Sequence, residues 1–296
     1  MVDEQKKAEQ LKKQAKAGKS ALVGAFIAAA TGQDGDTLGI ASSNPDGLAL
    51  VHFDSEQSPA DHHGLAATAL RRVRAEIQPP WLRSYRIADV PLAERFRLLE
   101  YELNRAHKDH GGIHSVLLDG VADLVADPND SAEAFAAVES LHRLAVKRDT
   151  SIVCVLHFNP GSEFNKTRGH LGSQLERKAE TNLALEKADG VTVVYTKMAR
   201  HAHVEKDAGA RFQWDAAAGM HLSCGTVQDE KAEADDFTMQ AIVGEIFSDK
   251  AALRYSELKQ AVMRIRHVKE CAAEKTIKKL VPKYVRKGLM GMYEKT

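Results

Sequence analysis

Between residues 20 and about 225 the chain alternates between two hydrophobic periods, and this alternation restricts the fold more than any single motif does. The runs "LALVHFD" (48–54), "SVLLD" (115–119), "SIVCVLHF" (151–158) and "LALEKADGVTVVYTK" (183–197) are short and apolar, with β character. Such runs suit strands buried in a mostly parallel sheet. Between them lie the helical patterns "ADHHGLAATALRRVRAEI", "LAERFRLLEYELNRAHKDH" and "DSAEAFAAVESLHRLAVKRD", the last with Asp130 or Ser131 as N-cap. Strand, helix, strand, helix predicts a doubly wound α/β domain, closed by an antiparallel hairpin from "ARFQWD" and "GMHLSC".

The pattern then changes. Residues 229–236, "DEKAEADD", read as an acidic linker, and "FTMQAIVGEIF", "YSELKQAVMRIRHV" and "ECAAEKTIKKLVPKYVRKG" as three helices before a short strand in "LMGMYEK". Three helices and a strand in about 60 residues suggest a winged-helix or helix-turn-helix module. The expected division is a polar N-terminal segment 1–17, an α/β domain 18–226, a linker 227–236 and a basic winged-helix-like domain 237–296.

Composition narrows the function classes. With 44% hydrophobic and 28% charged residues the chain has the balance of a soluble globular protein. It carries no apolar run long enough for a membrane span and no apolar segment of a secretory signal in its first twenty residues, so neither membrane nor export is expected. Cys154, Cys224 and Cys271 lack any CxxC or Cys/His spacing and read as reduced thiols of a cytoplasmic protein. The histidine groups "DHH" (61–63) and "HAH" (201–203) lack supporting ligands, and no zinc is assigned.

The chemistry begins at "KAGKSAL". Gly18, Lys19 and Ser20 supply the second half of a phosphate loop, G-x-x-x-x-G-K-[ST], and an apolar helix follows directly. In such a loop backbone amides face the phosphates, the lysine reaches the β and γ phosphates and the hydroxyl binds magnesium. The first glycine position holds Lys13, and residues 1–17 favour helix over the buried strand that should precede the loop. Downstream, Asp119 ends one apolar strand, Asp54 and Glu56 follow another, and His157 ends a third. Open α/β sheets bind their ligands at that edge, and a carboxylate at the position of Asp119 suits magnesium.

With these residues in order, the sequence resembles the RecA-like P-loop ATPases, in particular the branch with RepA-type and DnaB-type hexameric helicases and RecA-like AAA proteins of phages, plasmids and mobile elements. The resemblance runs through "KAGKSAL", "LVHFDSEQS", "VLLDGVADLVADPND", "VLHFN" and "TRGHLGSQLERKAETNLAL", over roughly residues 15 to 215. It implies ATP and Mg2+ as cofactors, with Gly18, Lys19 and Ser20 on phosphate and Ser20 and Asp119 on the metal. It makes Glu56 the catalytic glutamate and His157 the γ-phosphate sensor. The loop 159–173, with Lys166, Arg168 and His170, resembles a binding loop for single-stranded DNA. "VYTKMARHAH" resembles the strand end that projects a Lys and an Arg into a neighbour's γ-phosphate; Lys197 and Arg200 match it with a spacing one residue wider, and Arg168 competes as the finger. A homo-oligomer is implied, hexameric in that branch.

After Asp249 lysine and arginine dominate, with Arg264, Arg266, Lys275, Lys278, Lys279, Lys283, Arg286 and Lys287 crowding two helices and a turn. That density suits counterion release on a DNA backbone. Docking to a protein is the other reading. The expected function is an ATP-dependent helicase or DNA motor for replication or mobilisation of a plasmid, phage or mobile element. The alternatives are a regulatory DNA-binding protein that has lost nucleotide binding and a recombination-type ATPase that coats DNA without unwinding it.

Overall fold

The structure is a computed structural model that describes residues 18–157, 169–288 and 291–296. Lys13, Lys166 and Arg168 lie outside the described residues. The chain divides into two compact units between Thr226 and Val227.

The first unit is α/β, and its centre is a parallel sheet of four strands in the order β2-β1-β3-β4. These are β1 (Ala49–Asp54), β2 (Leu82–Arg86), β3 (Ile113–Asp119) and β4 (Ser151–Val155). Helices α1 (Lys19–Ala29), α2 (Pro59–Arg72), α3 (Leu92–His110) and α4 (Ser131–Arg148) cover both faces. The strands sort their side chains with a period of two. Val51, Phe53, Val116 and Leu118 pack with Leu99 and Leu103 of α3 and Leu141 and Leu144 of α4. Leu50 and Leu117 face the other way, onto Val23 and Ile27 of α1 and Leu65 and Ala69 of α2. Because β1 is buried along its whole length, it reads in sequence as a continuous apolar run rather than an alternating one.

Local chemistry sets the helix ends. The Ser58 hydroxyl accepts the Asp61 N–H at the start of α2, and the Asp130 carboxylate accepts the N–H groups of Ala132 and Glu133 at the start of α4.

A second sheet, antiparallel and in the order β5-β6-β7-β8, follows helix α5 (Gly169–Lys178). Its strands are β5 (Thr181–Ala188), β6 (Val191–Ala199), β7 (Ala210–Asp215) and β8 (Met220–Ser223). This corrects the expectation that "LALEKADGVTVVYTK" adds to the parallel sheet. Asp189 and Gly190, both at positive φ (49° and 85°), turn that run into the β5–β6 hairpin. The β7–β8 hairpin forms as its sequence suggests. Leu22 and Ala25 of α1 pack with Val194 and Phe212 of this sheet, while Val23 and Ile27 meet the parallel one. A helix covered on both sides must be apolar all round, as α1 is.

The second unit contains α6 (Val227–Ile246), β9 (Ala252–Leu253), α7 (Tyr255–Arg266), α8 (Glu270–Leu280), β10 (Val285–Lys287) and β11 (Tyr293–Lys295). The strands form an antiparallel sheet in the order β10-β11-β9. Met239, Ile242, Leu258, Val262, Ile277, Leu280 and Val285 make its core. Residues 227–236, expected as a linker, instead build the first half of α6. The stretch has no Gly or Pro to stop a helix, and its exposed charges need no linker to solvate them. The helix expected to run through "VPKYVRKG" ends at Leu280, two residues before Pro282, and Val285 begins a strand. Among the described residues no helix is long and apolar enough to cross a membrane.

Candidate functional site at the strand ends

The carboxyl ends of β1 and β3 lie side by side, with Asp54 in register with Asp119. Gly18 opens α1 at φ 82°, and a Cβ there would lie 2.6 Å from Cε2 of the buried Phe212. A glycine is therefore needed, and it presents Lys19 and Ser20 on the first turn of α1.

Lys19, His157 and Glu56 form a chain. The Lys19 Nζ lies 2.5 Å from His157 Nδ1, and His157 Nε2 lies 3.1 Å from Glu56 Oε2. An ammonium only donates, so Nδ1 accepts and the Nε2–H donates to the carboxylate. That hydrogen bond is the main reason the Glu56 carboxyl is held below its ordinary value. Burial lowers the Lys19 ammonium, against the opposing charges of Glu56 and Asp119. Gly120, at φ 95°, leaves room for Glu56: a Cβ there would stand 2.8 Å from Glu56 Cγ.

Asp119, 4% exposed, is pushed up to about 6, first by burial and then by the charges of Asp54 and Glu56. The Gln57 amide joins it to Ser20, Nε2 donating to Asp119 Oδ2 at 3.1 Å and to Ser20 Oγ at 3.3 Å. A partly positive N–H group thus stands between two hard oxygen ligands, where a small divalent cation would be satisfied. Ser20 and Asp119 fit Mg2+ in kind, as one hydroxyl and one carboxylate; no group of three His, Cys, Asp or Glu placed to hold a metal ion occurs among the described residues.

Lys19, Ser20, Glu56, Asp119 and His157, read as site residues from the sequence, are therefore brought together. Gln57 was not singled out, although its place directly after Glu56 in the same turn is the signal that could have found it. Lys197 of β6 instead pairs with Glu176 of α5 at 2.8 Å. Arg200 is exposed, and its backbone N–H donates to the Glu180 carbonyl. His170, on α5, is also exposed.

In the second unit every expected DNA-contacting cation is exposed, but several are engaged by acids of the same unit. Lys279 pairs with Asp235 at 2.9 Å, Lys283 with Asp236 and Arg286 with Glu294 at 3.1 Å. Arg266 donates to the Thr276 hydroxyl at 2.8 Å. Arg264, Lys275, Lys278 and Lys287 have no side-chain partner among the described residues.

No protein-family model matches this chain, and no curated protein matches it. What the fold and the site define is an α/β protein with a charged strand-edge cluster beside the amino end of a buried helix.

Proposed function

We propose that this cluster binds and hydrolyses ATP with Mg2+, and that the chain is a RecA-like ATPase acting on DNA. One juxtaposition carries the reading: Lys19 and Ser20 at the amino end of α1 share a hydrogen-bonded network with Asp119, Glu56 and His157 at the strand ends. A helix amino terminus with an adjacent lysine favours phosphate. Lys19 neutralises the terminal phosphates, and Ser20 and Asp119 hold the metal. Mg2+, when bound, supplies further neutralisation of the phosphate oxygens. Glu56 orients the attacking water, and His157, hydrogen-bonded to both Lys19 and Glu56, links the phosphate to the carboxylate. Lys197, Arg200 and Arg168 remain the proposed trans fingers of a homo-oligomer.

The second unit supports the DNA part. Its helix, strand, helix, helix, hairpin order fits a winged-helix module, with Lys275 and Lys278 on the exposed face of α8. Whether the hydrolysis drives unwinding, as in a helicase for a plasmid, phage or mobile element, is decided by strand displacement on a forked duplex.

Binding of a fluorescent ATP analogue with and without Mg2+ tests the reading. Saturable, magnesium-strengthened binding that Lys19→Ala abolishes is the expected result, with hydrolysis lost in Glu56→Gln. Equal binding by the unaltered chain and Lys19→Ala overturns it.

A further inference from the structure

Behind Glu56 runs a polar chain, buried at Asp54 and His52 and half-buried at His62 and Ser84, that the site residues themselves do not explain. Asp54, fully buried, accepts the backbone N–H groups of Glu56 and Gln57 through Oδ1, both at 3.0 Å. Its Oδ2 lies 2.9 Å from Nδ1 of His62 on α2. The Nε2 of His62 lies 3.1 Å from the Ser84 hydroxyl of β2, which lies 2.9 Å from Nδ1 of His52 on β1. The two imidazoles stack, centroids 5.4 Å apart and planes within 10°.

The direction of these bonds follows from chemistry. An ionised carboxylate only accepts, so His62 donates from Nδ1, and its bare Nε2 accepts the Ser84 O–H. Ser84 then accepts from His52 Nδ1–H. His52 Nε2 is left as a buried acceptor without a partner. That is the tolerable orphan, since it carries no proton, and burial drops His52 to about 4, which keeps the ring neutral. The chain ties β1, α2 and β2 to one turn. Arg86 of β2 fastens the same turn from outside, donating from Nε to the Gln57 carbonyl at 2.9 Å.

We propose that Asp54, oriented by His62 and Ser84, is the positioning residue of the nucleotide site, setting where Glu56 and Gln57 stand without touching the nucleotide. The proposal rests on the ATPase reading and adds to it residues outside the phosphate and metal machinery. The chain reaches Lys19 and Ser20 only at second hand, through His157 on Glu56 and through the Gln57 amide on Ser20 Oγ, so its loss is expected to lower turnover far more than affinity.

The test is steady-state ATP hydrolysis together with binding of a non-hydrolysable ATP analogue in the full chain. His62→Ala should lower kcat by roughly ten- to a hundred-fold, the usual effect of a misplacement near 1 Å, while analogue affinity changes far less. His62→Asn places an amide N–H where Nδ1–H stood and should recover most of the rate. Should His62→Ala not fold, Ser84→Ala removes one hydroxyl and should lower kcat far more than affinity. Hydrolysis insensitive to His62 and Ser84, or kcat and affinity falling together in the variants that fold, overturns the positioning role and leaves the ATPase reading standing. No hydrolysis by the unaltered chain overturns that reading and the positioning role with it.

Discussion

The Lys19 Nζ stands 2.5 Å from His157 Nδ1, so the lysine that would meet a phosphate is already satisfied by an imidazole. A phosphate oxygen drawing on the same Nζ competes with Nδ1, and displacing it alters the other end of the ring, where Nε2 holds Glu56 at 3.1 Å. On the proposed ATPase reading, the histidine would thus pass the presence of phosphate to the carboxylate. His157→Ala is expected to bind ATP as tightly as the unaltered chain, or more tightly, because Lys19 is released. Its kcat should fall by about ten-fold or more, the low end of what a lost hydrogen bond to a charged catalytic group costs. Comparing kcat with analogue affinity checks this; a matched loss of both contradicts it.

Asp119 gives a pH dependence of stability. Its folded value near 6 lies above the ordinary 3.8, so the buried neutral acid is favoured. The stabilisation is complete below about pH 4 and is lost as pH rises through 6. At pH 8 the ionised group costs on the order of 3 kcal/mol relative to a neutral isostere. Asp119→Asn is therefore expected to melt at a higher temperature than the unaltered chain at pH 8 and at the same temperature at pH 4. Mg2+ should narrow the gap at pH 8 by stabilising the unaltered chain alone. Thermal denaturation at the two pH values, with and without Mg2+, measures it.

How much of this could be read from residues alone depends on distance along the chain. Asp54, Asp119 and His157 announce themselves because each ends an apolar run, and the parallel sheet places such ends on one edge. The strand β2 escaped notice because "LRSYR" is polar: it pairs only with β1 and is half-buried along most of its length. Ser84 and its link to His62 were hidden with it. The hairpin at Asp189 and Gly190 had a legible turn signal, but its apolar flanks looked like parallel core strands. Residues 229–236 misled in the opposite way, since acidic composition speaks of solvent exposure and not of linker or helix. The partners of Lys279 and Lys283, more than forty residues away in the same unit, follow only from the fold.

Gly18 makes a direct prediction for stability. Gly18→Ala combines a left-handed backbone at φ 82° with a methyl group 2.6 Å from Phe212 Cε2. Phe212 is fully buried and cannot swing into solvent. The expected cost is about 1–3 kcal/mol, typical of overpacking a filled core. The measurement is the denaturant midpoint, and Phe212→Leu in the Gly18→Ala background should return part of the loss. An unchanged midpoint for Gly18→Ala would mean that the loop and the antiparallel sheet do not meet as described.

The last prediction concerns the basic face of the second unit. Asp235 and Asp236 on α6 hold Lys279 and Lys283, while Lys275 and Lys278 on α8 have no side-chain partner among the described residues. The exposed Lys279–Asp235 pair contributes little to stability, so Asp235→Asn should leave melting nearly unchanged. Asp236 is half-buried and also accepts from the Tyr284 hydroxyl and the Gln240 amide, so adding Asp236→Asn should lower melting modestly. The effect of the two acids on a phosphate backbone is larger, because an occupied lysine must first leave its carboxylate. Asp235→Asn with Asp236→Asn is expected to tighten binding to duplex DNA and to steepen its dependence on salt, each freed lysine adding about one counterion to the slope. Lys275→Ala with Lys278→Ala should weaken binding by a similar amount across unrelated sequences, since phosphate contacts carry no base information. Titrations at several salt concentrations decide the matter. If the acidic variants leave both affinity and slope unchanged while the lysine variants do the same, the basic face serves a protein partner, and its exposed lysines are surface for docking instead of for DNA.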